Sequence, residues 1–184
     1  MLILIVTLVA EILTTILVIL SLAFPDRRVW PPSSQMTWGR YVMPVLFNLS
    51  ATGVIILGLM DWDNFILPDW VRIGIGAPLW LAGNLIALWS VSKLGFAPTY
   101  GAESELVVSG PYRFSRNPQY LGFITGLIGW GLMSNSMYAS ITSIVGIVPL
   151  LLVPFAEEAW MANIFGHEYE QYKRIVPRFI RLKK

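Results

Sequence analysis

Two polar groups interrupt a chain made mostly of apolar runs. One is the block Ser109-Gly-Pro-Tyr-Arg-Phe-Ser-Arg-Asn-Pro-Gln-Tyr120, and the other is the carboxylate pair Glu157-Glu158. Within the block, Pro118 suits the first position of a helix, where its missing N–H costs nothing, and Asn117 suits the cap before it. The free N–H groups of that first turn, flanked by Arg113 and Arg116, make an anion site for a carboxylate or phosphate. The same residues also suit a capped helix whose arginines meet lipid phosphates. Glu157 and Glu158 supply acceptors for a cation or a hydroxyl. Adjacent helical residues point about 100° apart, so one of the two is expected to face a pocket and the other to be solvated.

The elements that carry these groups are built for lipid. Of the 184 residues, 55% are hydrophobic and 13% charged, against about 45–50% and roughly 25% in soluble domains. The apolar residues fall into five runs, about 1–24, 41–60, 73–91, 119–134 and 137–156, the fourth of them short. A helix needs about 20 such residues to cross the bilayer core. The expectation is an all-α, polytopic membrane protein of about five transmembrane helices with a C-terminal amphipathic helical segment, in one domain. Residues 1–92 supply three helices, and residues 93–184 carry both polar groups. The first run lacks a basic start and a small-residue cleavage site, so it reads as a retained helix. Eight Trp and seven Tyr suit membrane interfaces. The absence of Cys excludes disulfides and thiolate chemistry, one His excludes a His cluster for a metal, and a net charge of +2 gives no sign of a nucleic-acid partner.

Loop charge sets the orientation. With five spans, Arg27, Arg28 and Arg40 share a side with Lys93, Arg113 and Arg116, and with the tail residues Lys173, Arg174, Arg178, Arg181, Lys183 and Lys184. Only Arg72 falls opposite. Positive residues gather on the cytoplasmic side, which predicts an outside N-terminus and a cytoplasmic C-terminus. The acidic, aromatic loop Asp61–Trp70 then lies outside and reads as a connector. The turn near Ser134-Asn-Ser136 forces an antiparallel hairpin of the last two runs. Legs of about 15 and 20 residues, rising 1.5 Å each, bring Asn117–Tyr120 level with Glu157-Glu158.

Several further residues carry expectations. Glu11 lies mid-way through the first run, where a charge costs about 2.5–3.5 kcal/mol, and a partner such as Asn48 or Asn84 is expected if it is not protonated or snorkelling. Glycines 74, 76, 83, 122, 126, 129 and 131 permit close helix approach, including a Gly122-x-x-x-Gly126 pair. Pro149 and Pro154 are expected to bend or end the fifth helix near the membrane surface. Trp160, Met161, Ile164 and Phe165 recur at helical spacing, as an interfacial helix or a lid, and Gly166 can break that helix before Tyr169 and Tyr172.

The run Leu106-Val-Val-Ser-Gly-Pro-Tyr-Arg-Phe-Ser-Arg-Asn-Pro-Gln-Tyr-Leu-Gly122, then Glu157-Glu158, Phe165-Gly-His-Glu-Tyr169 and Tyr172-Lys-Arg-Ile-Val-Pro177, resembles the isoprenylcysteine carboxyl methyltransferase and phospholipid methyltransferase superfamily. The resemblance covers roughly the C-terminal half. It implies an integral-membrane methyltransferase that binds S-adenosylmethionine on the cytosolic side and takes a lipidic or hydrophobic acceptor from the bilayer, with membrane lipids around it. An isoprenylcysteine, a phospholipid amine, a quinone-like lipid or a small hydrophobic molecule would all fit such a cleft. Gly110, Pro111 and Tyr112 match the family's Gly-Pro-Tyr turn, Arg116 and Pro118 its Arg-His-Pro element, Tyr120 the aromatic after it, and Glu157-Glu158 its acidic pair. Asn117 stands where the family has His, and Asn cannot titrate near neutral pH.

On this resemblance Arg116 and the N–H groups after Pro118 hold the cofactor carboxylate, and Glu158 or Glu157 accepts from its ammonium or ribose. Tyr100, Tyr112 or Tyr120 contacts the adenine or sulfonium. Arg116, Asn117 and Glu158 are expected in the catalytic role. His167 could serve as base for an amine acceptor, although a single His beside Gly166 is more often structural. Two alternatives stand beside this one. Intramembrane sterol and steroid reductases share a similar segment and bind a nicotinamide cofactor, against which the Glu-Glu pair followed by Phe-Gly-x-Glu-Tyr favours the methyltransferase branch. A non-catalytic protein on the same scaffold would explain Asn117.

Overall fold

The computed structural model describes residues 1–33, 37–102 and 105–180. The expectations for Arg181, Lys183 and Lys184 lie outside the described residues. Among those described the chain is helical and has no strand. Four helices are long and apolar enough to cross a membrane: α1 (Leu2–Ala23), α2 (Gly39–Met60), α3 (Asp69–Leu94) and α5 (Met137–Ile175). Between them α4 (Pro118–Ser134) has 17 residues, about 25 Å at 1.5 Å each. It is the fifth expected crossing, and its shortness is what separates four long helices from five runs.

Helix α4 packs along α3 on one side and α5 on the other, while α1 and α2 close the bundle against α5. Glycine sets the α3–α4 distance. A Cβ on Gly122 would lie 2.6 Å from the Ala87 nitrogen, and one on Gly83 would meet the Gly126 nitrogen. Gly126 itself has room, with Asn84 Nδ2 at 3.7 Å from an added Cβ. Where α1, α2 and α5 meet, Val18, Met43 and Val153 form a buried core with Val29 and Trp30 of the α1–α2 loop. Val29 and Trp30 are therefore folded into the bundle, and both their backbone N–H groups donate to Ser21 Oγ at 3.0 Å.

At the opposite end, Asn135 takes the left-handed conformation (φ 48°) between α4 and α5. Its Nδ2 donates to Asp63 Oδ1 at 2.8 Å and its Oδ1 accepts from Leu67 N at 3.0 Å. Ser136 Oγ donates to Asp61 Oδ2 at 2.7 Å. Arg72 pairs with Asp63 at 2.6 Å and Asp69 at 3.0 Å. The loop 61–70, expected to be a plain connector, instead clamps the hairpin turn, because its acids satisfy the turn's orphan donors.

Two other expectations are corrected. Helix α5 runs through Pro149 and Pro154, both buried in the bundle, and breaks only at Gly166 (φ 48°, ψ −119°). Residues 137–165, before the break, reach about 43 Å, past a bilayer core. Neighbouring helices can re-satisfy the carbonyls that a buried proline frees. Glu11 does not pair with either asparagine. Asn48 Nδ2 donates to the Pro44 carbonyl and Asn84 Nδ2 to the Trp80 carbonyl, each at 2.7 Å. The Glu11 carboxyl, 1% exposed, has no partner.

Candidate functional site

The site is assembled where the start of α4 meets the C-terminal tail. Gly110, with φ 61°, opens the single helical turn Gly110–Arg113 and lies against the Lys93 stem. Pro111 continues that turn and Pro118 begins α4; both are buried. The tail docks onto this block from below. Arg116 N donates to the Pro177 carbonyl at 2.9 Å, and Ser115 Oγ and Asn117 Nδ2 both donate to the Arg178 carbonyl at 3.1 Å. Tyr172 Oη donates to the Tyr112 carbonyl at 2.6 Å. Asn117 precedes α4 but its side chain makes no capping bond. The expected cap is replaced by Ser115 Oγ, which accepts from Asn117 N at 3.0 Å, and the asparagine amide is spent on the tail.

As the hairpin spacing requires, the two polar groups meet. Tyr120 Oη donates to Glu157 Oε1 at 2.5 Å, and Trp30 Nε1 donates to the same oxygen at 2.8 Å. Glu158 receives both forks of Arg178, Nε to Oε1 and Nη2 to Oε2, each at 2.8 Å. Arg116 Nη2 lies 3.3 Å from Glu158 Oε1, with side chains only 9% and 8% exposed. Glu158 is buried and Glu157 half-buried, so neither stands free in solvent as expected: Trp30 bonds one of the pair and the Arg178 tail the other.

Arg116, Tyr120, Glu157 and Glu158 line a tight cavity of about 90 Å³ with Tyr112, Asn117, Gln119, Met161 and Tyr169, while Trp30 and Arg178 hold the two glutamates from outside it. Arg116 Nε and Nη1 are buried there without a hydrogen-bond partner. A buried guanidinium left with two free donors is costly. The cavity shares Gly101, Ala102 and Trp160 with an open cleft of about 860 Å³ that also carries Arg28 and Arg40. Through Thr99, Gln119 and Tyr120 it adjoins a third cavity, about 350 Å³ and mostly apolar, inside the bundle. The bond to Glu158, more than its charge, raises the Arg178 pKa. Burial first, then the negative Glu157, push the Tyr112 phenol far above its ordinary range.

Of the residues expected in the site, Tyr112, Arg116, Asn117, Tyr120, Glu157 and Glu158 line the tight cavity. Gly110, Pro111 and Pro118 shape the backbone around it without lining it. Tyr100 lines the intramembrane cavity and the open cleft instead. His167 is exposed and bonds Gln171 at 2.8 Å, so it does not serve as a base in this cavity. Sequence reasoning missed Trp30, Gln119 and Arg178 as site residues. Arg178 directly follows the Tyr172–Pro177 motif, and that adjacency was its available signal. Trp30 carried none.

Comparison with known proteins defines the class. A phospholipid methyltransferase family model matches residues 71–168, and the chain belongs to that family of membrane methyltransferases, whose members use S-adenosylmethionine. The chain is 34% identical to protein-S-isoprenylcysteine O-methyltransferase of Schizosaccharomyces pombe, over 67% of this chain and 72% of that one. It is 30% identical to phosphatidylethanolamine N-methyltransferase B of Dictyostelium discoideum, over 59% of this chain and 58% of that one. It is also 25% identical to steroid 5-alpha-reductase DET2 of Solanum lycopersicum, over 76% and 55%. The chain thus spans little more than half the length of the last two relatives. No solved structure matches it.

Proposed function

We propose that this chain transfers a methyl group from S-adenosylmethionine to a hydrophobic acceptor at the cytoplasmic membrane face. Five helices cross the membrane in this reading, with the N-terminus outside, so that the tail and the start of α4 face the cytosol. The observation that carries it is Arg116, whose Nε and Nη1 are buried without partners beside buried Glu158 and half-buried Glu157. A zwitterionic amino-acid group suits that donor set: its carboxylate takes the free arginine nitrogens and the N–H groups of Gln119 and Tyr120, which precede the first helical bond from Leu121 to Asn117. Glu158 is committed to two arginines, which leaves Glu157 for the ammonium. The tight cavity is too small for the whole cofactor, and the open cleft that shares its wall supplies the remaining room.

Bound S-adenosylmethionine supplies an electrophilic methyl on a sulfonium sulfur. The protein's task is to align and to exclude water. Tyr120 and Gln119 form the boundary between the cofactor cavity and the apolar cavity, so a nucleophile at the cofactor end of the apolar cavity meets the methyl there. Arg116 and Glu157 would hold the cofactor's amino-acid end, and the cofactor would supply the methyl, with the displaced thioether as leaving group, to an acceptor that Gln119 and Tyr120 align. A carboxylate or thiolate acceptor needs no base. Asn117, fixed on the Arg178 carbonyl, then has a structural duty that does not require the titration of a histidine.

The test is incubation of the purified protein with methyl-labelled S-adenosylmethionine and a total membrane-lipid extract. Label in the organic phase, lost in Arg116→Ala, supports methyl transfer. Folded protein that binds NADPH and not S-adenosylmethionine would instead establish the reductase reading that the similarity to a steroid reductase raises.

A further inference from the structure

The apolar cavity contains one feature that methyl transfer does not use. Glu11 of α1 lies in its wall, 1% exposed, with neither carboxylate oxygen bonded. The structure makes space for this carboxyl. A Cβ on Gly146 of α5 would lie 3.1 Å from Glu11 Oε1, so any larger residue there would crowd it. An unpaired carboxyl in a membrane interior is expensive, and such a group is retained where something pairs with it.

The wall chemistry says what that partner is. Thr14 Oγ1 donates to the Ala10 carbonyl at 2.7 Å, Asn48 Nδ2 to Pro44 at 2.7 Å and Ser50 Oγ to Leu46 at 2.9 Å. Each of these three side chains thus spends an N–H or O–H on its own helix, and Tyr100 and Gln119 add to the polar part of the wall. None of these donors reaches Glu11, whose two carboxyl oxygens face the space unanswered. An amine is complementary: it brings two or three N–H donors, whereas a hydroxyl brings one and an ester or ether none. If it is protonated, the ion pair enters the low-dielectric interior as a neutral unit.

Depth gives the shape. Gly146, against Glu11, and Glu157, in the cofactor cavity, are eleven residues apart on α5, about 16 Å of helix. The cavity of about 350 Å³ runs between these levels, bounded by Gln119 and Tyr120 at the cofactor end. Resting on the methyltransferase reading, we infer that this cavity is the acceptor site and takes an elongated apolar molecule bearing an amine at the end remote from the methylated atom, received by Glu11.

The test uses the full chain in phosphatidylcholine nanodiscs and a photoactivatable dodecylamine whose diazirine lies in the alkyl chain. Adducts are mapped by peptide mass spectrometry. Unlabelled dodecylamine and dodecyl methyl ether, matched in length, compete for labelling of α2 residues 47–54. The expected result is that the amine competes at a concentration at least tenfold lower than the ether. Glu11→Gln and Glu11→Leu narrow that gap to less than threefold, and neither loses S-adenosylmethionine affinity by calorimetry. Equal competition by the two compounds in the wild type overturns the assignment without any variant having to fold, as does an unchanged gap in Glu11→Gln. Amine preference without cofactor binding would leave the Glu11 site standing and remove the methyltransferase reading alone.

Discussion

Arg178 grips Glu158 with two parallel bonds of 2.8 Å, although the two residues lie on opposite sides of the Gly166 break. The guanidinium also stacks over the Phe155 ring, 3.9 Å from its centre. The pair ties the tail to α5 and keeps Glu158 occupied, so Arg116 reaches it with only one nitrogen, at 3.3 Å. That arrangement leaves the rest of the Arg116 fork free.

Arg178→Ala should therefore act through Glu158. Removing one partner of a buried pair typically costs about 3–5 kcal/mol, and the 34% exposure of Arg178 puts this case at or below the low end. Chemical unfolding in detergent is expected to show a loss of about 2–3 kcal/mol. Adding Glu158→Gln should recover part of it, with a coupling energy of at least 1 kcal/mol in the double-mutant cycle.

Asn117 is predicted to matter as a donor. Asn117→Asp loses the bond to the Arg178 carbonyl and adds a third carboxylate to the cavity of Glu157 and Glu158, at a cost of about 1–3 kcal/mol. Asn117→His keeps an N–H donor and should lose less. Thermal unfolding of the two variants side by side measures the order, and a His variant less stable than the Asp variant would contradict the assigned role.

Gly166 has φ 48° and ψ −119° with nothing within 4 Å of an added Cβ. Gly166→Ala thus meets no clash, and its whole effect is backbone strain of about 1–3 kcal/mol. Because the break delivers Tyr169 and Tyr172 to the cavity, cofactor affinity should fall with stability. In Gly122→Ala the cause is different, a backbone collision with Ala87, and there the loss should appear in stability without a selective effect on binding.

Alkaline pH should loosen the site. An unfolded tyrosine ionises near pH 10, whereas buried Tyr112 holds its proton to higher pH. Between these values the unfolded chain has lost a proton that the folded chain keeps, so stability falls as pH rises above about 10. The fall in unfolding temperature between pH 9.5 and 11 should be smaller in Tyr112→Phe, which preserves the backbone carbonyl that Tyr172 uses.

The helices, the hairpin and the meeting of Tyr120 with Glu157 were legible in the sequence, because each follows from local length, apolar run and turn chemistry. The orientation of Glu157 and Glu158 was not. The 100° rule treats α5 alone, and here a loop and a tail bond the pair through Trp30 and Arg178. Glu11 was visible as an anomaly, but its lack of a partner depended on Asn48 and Asn84 choosing their own helix carbonyls. The clamp between Asp61, Asp63 and Asn135 joins residues more than 70 positions apart, beyond the reach of any local pattern.

The central claim is that Arg116, with Nε and Nη1 buried and unpartnered, holds the cofactor. Titration calorimetry of the detergent-solubilised protein with S-adenosylmethionine tests it most directly. Saturable heat is predicted for the wild type, with affinity at least tenfold weaker in Arg116→Ala at unchanged folding. Absence of heat at millimolar cofactor with folded wild-type protein, or equal affinity in the variant, would contradict the account.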